Sequence, residues 1–266
     1  MRSILFATLS VIGFAASGAF AQTDVYFGGS VGYDFGIPGE RLGTDYSGLT
    51  KSNSSTASGS SAYSGNVSSI FGSLAGKSTI LSGKLGAYSK NIHLGGELGL
   101  DYFMGAKQDV EKASSSYNYG NNETTTFSCL FLRPQFLFRA GSFGSVVPYL
   151  KAGLVLGVNP SLKSIENTDD TTTYESDWSG NWAWGLSGTL GIEYQLNENL
   201  GIFMEADMES IGWKPQKDHF TSKSSDTTYQ YADETSYAEY YNDTKFLSRD
   251  FSLSNLSAKV GLNYHF

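Results

Sequence analysis

The chain has 266 residues, of which 40% are hydrophobic, with 31 glycines, 17 tyrosines, 17 phenylalanines and only 5 prolines. This composition is typical of a sheet protein with polar, glycine-rich links. The formal net charge of −8 argues against nucleic acid as a partner. Cys129 is the only cysteine, which excludes an intramolecular disulfide.

The first 21 residues have the features of an export signal. Arg2 precedes an apolar run from Ile4 to Phe14, and the small residues of Ala19–Ala21 form a cleavage site. Met1–Ala21 is therefore predicted to be a secretory signal peptide, leaving residues 22–266 as a single barrel domain. No later stretch approaches the roughly 20 apolar residues that a membrane-spanning helix needs, so a membrane crossing would have to use strands.

Eight later segments alternate apolar and polar side chains with a period of two, beginning near Asp24 and ending at Phe266. Long polar links are predicted at about 38–78, 105–123, 159–177 and 214–250, and short turns near 90–91, 141–144 and 196–199. An even number of strands with all long links at one end is typical of a closed outer-membrane barrel. The sequence predicts an all-β fold: an eight-stranded antiparallel up-and-down transmembrane β-barrel with four long extracellular loops and three short periplasmic turns.

The period alone leaves open whether the apolar face points outward into lipid or inward, as in a soluble ligand-carrying barrel. Aromatic residues favour the outward orientation, because they cluster where strands would cross the two membrane interfaces. At the long-link end these are Tyr33, Phe35, Tyr102, Trp182, Trp184 and Trp213, and at the short-turn end Phe136, Phe138, Tyr194, Tyr264 and Phe266. A soluble barrel has no reason for two such girdles.

With the apolar face outward, the charged strand residues point into the lumen. They are Asp34, Lys84, Glu97, Asp101, Arg133, Arg139, Lys151, Glu193, Glu205, Asp207, Glu209 and Lys259. An eight-stranded lumen is just wide enough for side chains to fill. We therefore expect these groups to pair as a polar plug, which disfavours a wide water-filled channel.

Proline is unusual inside a closed barrel because it has no amide hydrogen for the ladder. Pro134 lies in the middle of the fourth predicted strand. The sequence therefore predicts a local bulge at this position.

In layout, the chain resembles the small outer-membrane barrels of the OmpA, OmpX and opacity-protein type. The resemblance includes the stretch Pro148–Leu154 and the closing residues Leu262–Phe266. It implies location in the outer membrane of a Gram-negative-type bacterium, with lipid and lipopolysaccharide as surroundings. It also implies that the barrel-assembly machinery reads Leu262, Tyr264 and Phe266 as a sorting signal.

Catalytic and metal-binding groups are sparse. His93, His219 and His265 have no metal-ligand spacing, and His93 is predicted to be a hydrogen-bonded filler of the lumen. The pair Asp218 and His219 resembles part of the site of barrel proteases, which keeps a loop-sited outer-membrane hydrolase open as an alternative. Cys129 falls on the lumen side of its strand and is expected to be inert. The sequence thus predicts a protein that is not an enzyme and has no cofactor or metal.

The predicted loops contain the remaining sequence features that bear on function. The third has a formal charge of −4 and the fourth −2, and the fourth is rich in tyrosine, a residue common in adaptable binding surfaces. Its candidate contact residues are Tyr229, Tyr231, Tyr237, Tyr240 and Tyr241. The prediction is a structural and surface-interaction role, in envelope integrity and in adhesion to an extracellular ligand. The alternatives are a merely hydrated variable loop and a narrow porin-like channel.

Overall fold

The structure is a computed structural model. It describes residues 23–36, 41–45, 50–52, 62–64, 68–71, 78–105, 108–113, 122–168, 172–222, 225–230, 238–240, 244–246 and 250–266. The predicted signal peptide lies outside the described residues. Within the described part of the chain, all regular secondary structure is β-strand.

Eight strands form a closed antiparallel barrel, which confirms the predicted fold class. The strands are β1 (Thr23–Asp34), β2 (Ser78–Ser89), β3 (Leu94–Gly105), β4 (Asn122–Arg139), β5 (Val146–Thr168), β6 (Ala183–Gln195), β7 (Leu200–Trp213) and β8 (Asn255–His265). Each strand pairs with its neighbours in sequence. The barrel closes where β1 pairs with β8, with Val31 opposite Val260. Closure leaves the barrel wall without an unpaired edge.

Burial follows the two-residue period along each strand, because successive side chains of a strand point to opposite faces. In β7, for example, Phe203, Glu205 and Asp207 are buried, while Ile202, Met204 and Met208 are exposed. The same alternation holds around the barrel. Most polar and charged side chains face the interior, and most aliphatic side chains face outward. This is the opposite of a water-soluble sheet protein.

The long-link end is more ordered than the sequence predicted. β5 continues through the expected third loop to Thr168, and the chain returns as a strand at Thr172–Ser179, which pairs with β5. β4 begins at Asn122, close to the predicted end of the second link at residue 123. Further short strands lie in the remaining links, at Arg41–Asp45, Thr50–Ser52, Ala62–Ser64, Ser68–Phe71, Gln108–Ala113, Lys217–Ser222, Ser225–Gln230, Ala238–Tyr240, Thr244–Phe246 and Asp250–Ser252. The start predicted for the third link, near residue 159, was wrong, because β5 continues to Thr168.

The bulge predicted at Pro134 is also wrong. Pro134 pairs with Leu98 of β3 in an unbroken register, and the register with β5 is the same on both sides of it. The shift lies in β5, between Val158 and Ser161. Asn159 there has a φ of 51°, a left-handed conformation that asparagine tolerates better than most residues. Beyond this bulge, the inward-facing positions of β5 change from odd to even numbers.

Two side chains lie on the opposite side from the predicted one. Trp213 was expected in the outer aromatic girdle, but it is 1% exposed and points into the interior, because it shares the odd-numbered face of β7 with Glu205 and Asp207. His93 was expected in the lumen, but it is exposed in the turn between β2 and β3 with a φ of 59°. The turn conformation interrupts the strand alternation on which that prediction relied.

Candidate functional site: the barrel interior and the outer belt

The outer face of the barrel carries a continuous apolar belt. Exposed side chains around it include Val31, Leu85, Leu100, Leu150, Leu154, Leu186, Leu190, Met204, Val260 and Leu262. Aromatic residues border the belt: Tyr33, Phe35, Tyr102, Trp182 and Trp184 at the long-link end, and Phe136, Phe138, Tyr194, Tyr264 and Phe266 at the short-turn end. Soluble monomers rarely expose apolar patches of more than a few hundred Å², so this surface needs an apolar medium.

The inner face carries the predicted charges. All twelve residues assigned to the lumen from the sequence lie on that face, and their side chains are largely buried. They form three layers of contacts along the barrel axis, called here the lower, middle and upper layers, counted from the short-turn end. Buried charges are tolerated only when paired and hydrogen-bonded. The layers supply ion pairs for eleven of the twelve, whereas Asp34 accepts a hydrogen bond from the Gly36 amide and makes no ion pair among the described residues.

The lower layer is built around His265. Its Nδ1 lies 2.9 Å from Asp24 Oδ1 of β1 and its Nε2 lies 2.7 Å from Glu193 Oε1 of β6. The imidazole of β8 therefore links its neighbour β1 to β6, a strand with which β8 does not pair. Arg139 Nη1 lies 3.3 Å from Glu193 Oε2. Lys90, more than half exposed, lies 3.2 Å from Asp24. This layer closes the short-turn end of the lumen.

The middle layer contains two lysines and two glutamates. Lys151 Nζ lies 2.7 Å from Glu97 Oε1 and 2.8 Å from Glu205 Oε1, and Lys84 Nζ lies 2.7 Å from Glu205 Oε1. Two phenols complete the layer: Tyr26 donates to Glu97 at 2.5 Å and Tyr149 donates to Glu205 at 2.8 Å. Tyr26 donates to Oε2 of Glu97, the oxygen to which Lys151 does not donate, whereas Tyr149 donates to the same Oε1 of Glu205 as the two lysines.

The upper layer is built around Arg133 and Lys259. The guanidinium of Arg133 contacts three carboxylates. Its Nη1 lies 2.7 Å from Asp101 Oδ2, its Nη2 3.1 Å from Asp207 Oδ1 and its Nε 3.0 Å from Glu209 Oε1. Lys259 Nζ lies 2.6 Å from Asp101 and 2.9 Å from Asp207. The guanidinium and the ammonium therefore share the same two aspartates. Thr189 also donates to Asp207.

Above the charged layers, the inner face becomes apolar. The buried cluster comprises Ile80, Phe103, Phe127, Cys129, Phe131, Val155, Leu162, Trp178, Ala183, Ile211, Trp213, Phe251 and Leu253. The rings of Trp213 and Phe251 stack with centroids 5.7 Å apart, and Trp213 Nε1 donates to the carbonyl oxygen of Gly180 at 3.0 Å. Cys129 is one of the side chains of this cluster, which we call the apolar cluster.

Sequence reasoning missed several members of this interior. Asp24 and Tyr149 were not assigned to the charge network, and the apolar cluster was not predicted. Most of them, such as Tyr149 and Phe103, occupy the same inward parity as the charged residues of their strands, whereas Leu162 lies beyond the β5 bulge, where the parity reverses. Apolar side chains on that parity were overlooked because every apolar residue was expected to face outward.

The three histidines are not brought together, and Asp218 and His219, the pair of the hydrolase alternative, lie in one short strand. His219 is exposed in the short strand Lys217–Ser222, His265 lies in the lower layer and His93 in a turn. Among the described residues, no group of three His, Cys, Asp or Glu side chains could hold a metal ion. Of the candidate loop tyrosines, Tyr231, Tyr237 and Tyr241 lie outside the described residues. Tyr229 and Tyr240 lie in short strands.

The residues of the proposed sorting signal lie on the outer face of β8 and just beyond it. Leu262, Tyr264 and Phe266 are all exposed. The ring centroids of Tyr264 and Phe266 lie 5.2 Å apart, and the ring centroid of Phe27 in β1 lies 5.7 Å from that of Tyr264. These side chains therefore lie side by side at the seam where the barrel closes.

No helix in the described part of the chain is long and apolar enough to cross a membrane. No family model and no curated protein matches the chain.

Solved structures do match. Outer membrane protein OprG from Pseudomonas aeruginosa is 14% identical, with a TM-score of 0.50 over 92% of this chain and 96% of that one. Neisserial surface protein A is 12% identical, with a TM-score of 0.37 over 92% and 97%. AlkL, an outer membrane protein whose structure was determined in lipid bilayers, is 14% identical, with a TM-score of 0.38 over 94% and 93%. The likeness to OprG, together with the closed eight-stranded sheet, shows that this chain has the fold of a small outer-membrane β-barrel.

Proposed function

We propose that this chain is an integral outer-membrane protein of a Gram-negative-type bacterium that stabilises the envelope and presents its long links at the cell surface. In this proposal, lipid and lipopolysaccharide surround the belt and the barrel-assembly machinery inserts the chain. The barrel itself neither conducts solutes freely nor catalyses a reaction. The observation that carries the proposal is the inverted burial of the barrel, with an apolar outer belt around a paired ionic interior.

The outer belt supports membrane residence on energetic grounds. An Arg or Lys at mid-depth on the lipid face would cost about 2–4 kcal/mol. Below the β5 bulge, the described charged side chains of the barrel wall do not lie on the lipid face. A water-soluble barrel would gain from charges there and would lose from the exposed leucines.

The interior supports a closed barrel. A solute would have to pass the ion pairs of the middle layer, where Lys151 reaches both Glu97 and Glu205. It would also have to pass the apolar cluster, where Trp213 and Phe251 stack. An ion-paired layer followed by an apolar layer disfavours the passage of both ions and polar solutes through the barrel. This weighs against the porin alternative.

Planar-bilayer recording tests this part of the proposal. Purified protein should give flat traces at moderate voltage, because breaking a buried pair costs several kcal/mol. A variant with Lys151→Ala and Glu205→Ala, which opens the middle layer, is the matched comparison. Steady single-channel current from the wild-type protein would contradict the proposal and favour the narrow porin.

Surface contact is proposed to depend on the fourth link. Its support is the tyrosine content of the segment from about Thr221 to Lys245. Deleting this segment should leave the barrel folded, since it lies between β7 and β8, and should abolish binding to host-cell or matrix proteins. Replacing its tyrosines by serine is the milder variant. Undiminished binding by both variants would contradict an adhesive role for this link.

The absence of catalysis is likewise a proposal. Its support is that His219 is exposed and that the other two histidines lie far away in the fold. Peptide and lipid A panels should show no turnover by the purified protein. A hydrolytic activity that His219→Ala removes would favour the hydrolase alternative instead.

A further inference from the structure

The imidazole ring of His265 lies between two acidic side chains, and all three residues are buried. Its Nδ1 lies 2.9 Å from Asp24 Oδ1 and its Nε2 lies 2.7 Å from Glu193 Oε1; we call these two contacts the His265 bridge. An ionised carboxylate can only accept hydrogen bonds, and a neutral imidazole has one N–H and one bare nitrogen. A neutral ring could therefore donate to only one of two ionised carboxylates, whereas an imidazolium donates to both.

The other oxygen of Asp24 indicates that this side chain is ionised. Lys90 Nζ lies 3.2 Å from Asp24 Oδ2, and the hydroxyl group of Tyr88 donates to the same oxygen at 3.2 Å. A neighbouring ammonium group and a hydrogen-bond donor both favour the charged form of a carboxyl group. Asp24 Oδ1 then faces Nδ1 of His265 as an acceptor.

Glu193 has the same arrangement on the opposite side of the ring. Its Oε2 lies 3.3 Å from Arg139 Nη1 and accepts from Asn263 Nδ2 at 2.6 Å. The guanidinium carries a permanent positive charge, which favours an ionised Glu193. Its Oε1 therefore faces Nε2 of His265 as a second acceptor.

The backbone and a neighbouring ring fix the orientation of His265. It lies opposite Tyr26 of β1, and the centroids of the two rings are 5.4 Å apart. Its amide donates to the carbonyl oxygen of Asn199 at 2.7 Å, and Asn199 Nδ2 donates back to the carbonyl oxygen of His265 at 2.9 Å. The ring is thus held where both nitrogens reach a carboxylate.

We propose that His265 is an imidazolium in the folded barrel and that the His265 bridge is a pH-sensitive fastening of the barrel seam. The bridge joins β1 to β6, which are separated by β8 and β7, at the short-turn end of the seam between β1 and β8. Loss of the proton leaves the ring with one N–H. One buried carboxylate then faces a bare nitrogen, so the bridge opens on one side.

Proton linkage gives the direction of the pH dependence. The pKa of histidine in an unfolded chain is about 6.5. Below that pH, the folded and unfolded chains both carry the proton, so the bridge contributes in full. Above it, the unfolded chain releases the proton while the bridge retains it, and stability falls as the pH rises. The barrel should therefore unfold faster in alkaline than in mildly acidic buffer.

Urea unfolding of three proteins in detergent micelles tests this dependence. From about pH 6 to about pH 9, unfolding of the wild-type protein should accelerate about tenfold or more, and that of His265→Gln should change much less. His93→Gln, at an exposed turn residue, is the control and should behave like the wild type. All other titrating groups are common to the wild type and His265→Gln, so the difference between these two proteins isolates the bridge. Equal pH dependence in these two proteins would overturn the proposal.

Nuclear magnetic resonance of the imidazole nitrogens is a second measurement that leaves the bridge intact. The chain has three histidines, so an untagged variant with His93→Gln and His219→Gln keeps only His265. With ¹⁵N-labelled histidine, both ring nitrogens should carry a proton at about pH 7.5, where a histidine with the unfolded-chain pKa is mostly neutral. A ring nitrogen without a proton at this pH would overturn the proposal and would assign the shared proton to Asp24 or Glu193.

Discussion

Lys151 and Glu97 are 54 residues apart and lie on β5 and β3, two strands separated by β4, yet Lys151 Nζ lies 2.7 Å from Glu97 Oε1. The contact therefore reaches across the lumen instead of along the wall. It is possible because an eight-stranded barrel has an interior about as wide as the side chains that fill it. Pairs of this kind couple strands that share no backbone hydrogen bond.

Replacing Lys151 by methionine should strongly destabilise the barrel. The change leaves Glu97 without a strong cationic partner, and breaking a buried pair by removing one partner costs about 3–5 kcal/mol. Urea unfolding in detergent micelles measures this loss. Lys90→Met is the control, because Lys90 is 55% exposed in its pair with Asp24 and exposed pairs contribute about 0–1 kcal/mol. Equal losses in the two variants would contradict a structural role for the middle layer.

Replacing Leu190 by arginine should destabilise the protein in membranes. Leu190 lies on the outer face between Leu150 and Ala206, in the middle of β6, where a basic residue costs about 2–4 kcal/mol. Phe143→Arg, in the turn between β4 and β5, should cost about 1 kcal/mol or less. Folding yield and unfolding free energy in lipid vesicles distinguish the two. A water-soluble barrel would tolerate both changes equally.

Replacing Gly153 by alanine should impair packing between β4 and β5. A Cβ on Gly153 would meet the carbonyl oxygen of Pro134, a backbone atom with little freedom to move. Overpacking of this kind typically costs about 1–3 kcal/mol. Gly188→Ala is the matched control, since nothing lies within 4 Å of its Cβ position. Thermal unfolding of the two variants should differ, and a neutral Gly153→Ala would show that the strands can separate freely there.

Replacing Trp213 by alanine should destabilise the long-link end. The side chain is buried against Phe127 and Phe251, and truncating a buried tryptophan costs about 3–5 kcal/mol. Trp182→Ala, on the exposed rim, should cost about 1 kcal/mol or less. Limited proteolysis and urea unfolding both measure the difference. If Trp213 belonged to the outer girdle, the two variants would behave alike.

Much of the barrel could be predicted because its inside and outside differ chemically. The two-residue alternation of Glu205, Asp207 and Glu209 with apolar neighbours defines a strand and its faces without any long-range information. The girdle assignment of Trp213 failed because it relied on position near a strand end, whereas parity with Glu209 already placed the side chain inward. Aromatic identity was given more weight than register.

The long-link end was harder to predict for a different reason. Residues 159–168 are mostly polar and were interpreted as loop. They pair instead with residues 122–128 of β4, where a run of three threonines favours a strand. The bulge was assigned to Pro134 because proline lacks an amide hydrogen. It lies instead at Asn159 and Pro160, where asparagine adopts a positive φ. The ion pairs themselves depend on which strands meet across the lumen, and no local pattern contains that information.

The central claim is that the apolar outer face meets acyl chains while the inner face is sealed from both lipid and water. Trp184 lies on the outer face and Trp213 in the interior, so tryptophan fluorescence in vesicles reports on both. In a variant that keeps only Trp184, through Trp178→Phe, Trp182→Phe and Trp213→Phe, brominated acyl chains should quench emission and aqueous iodide should not. A variant that keeps only Trp213 should respond to neither quencher. Quenching of Trp184 by iodide with no effect of brominated lipid would contradict the membrane-spanning barrel.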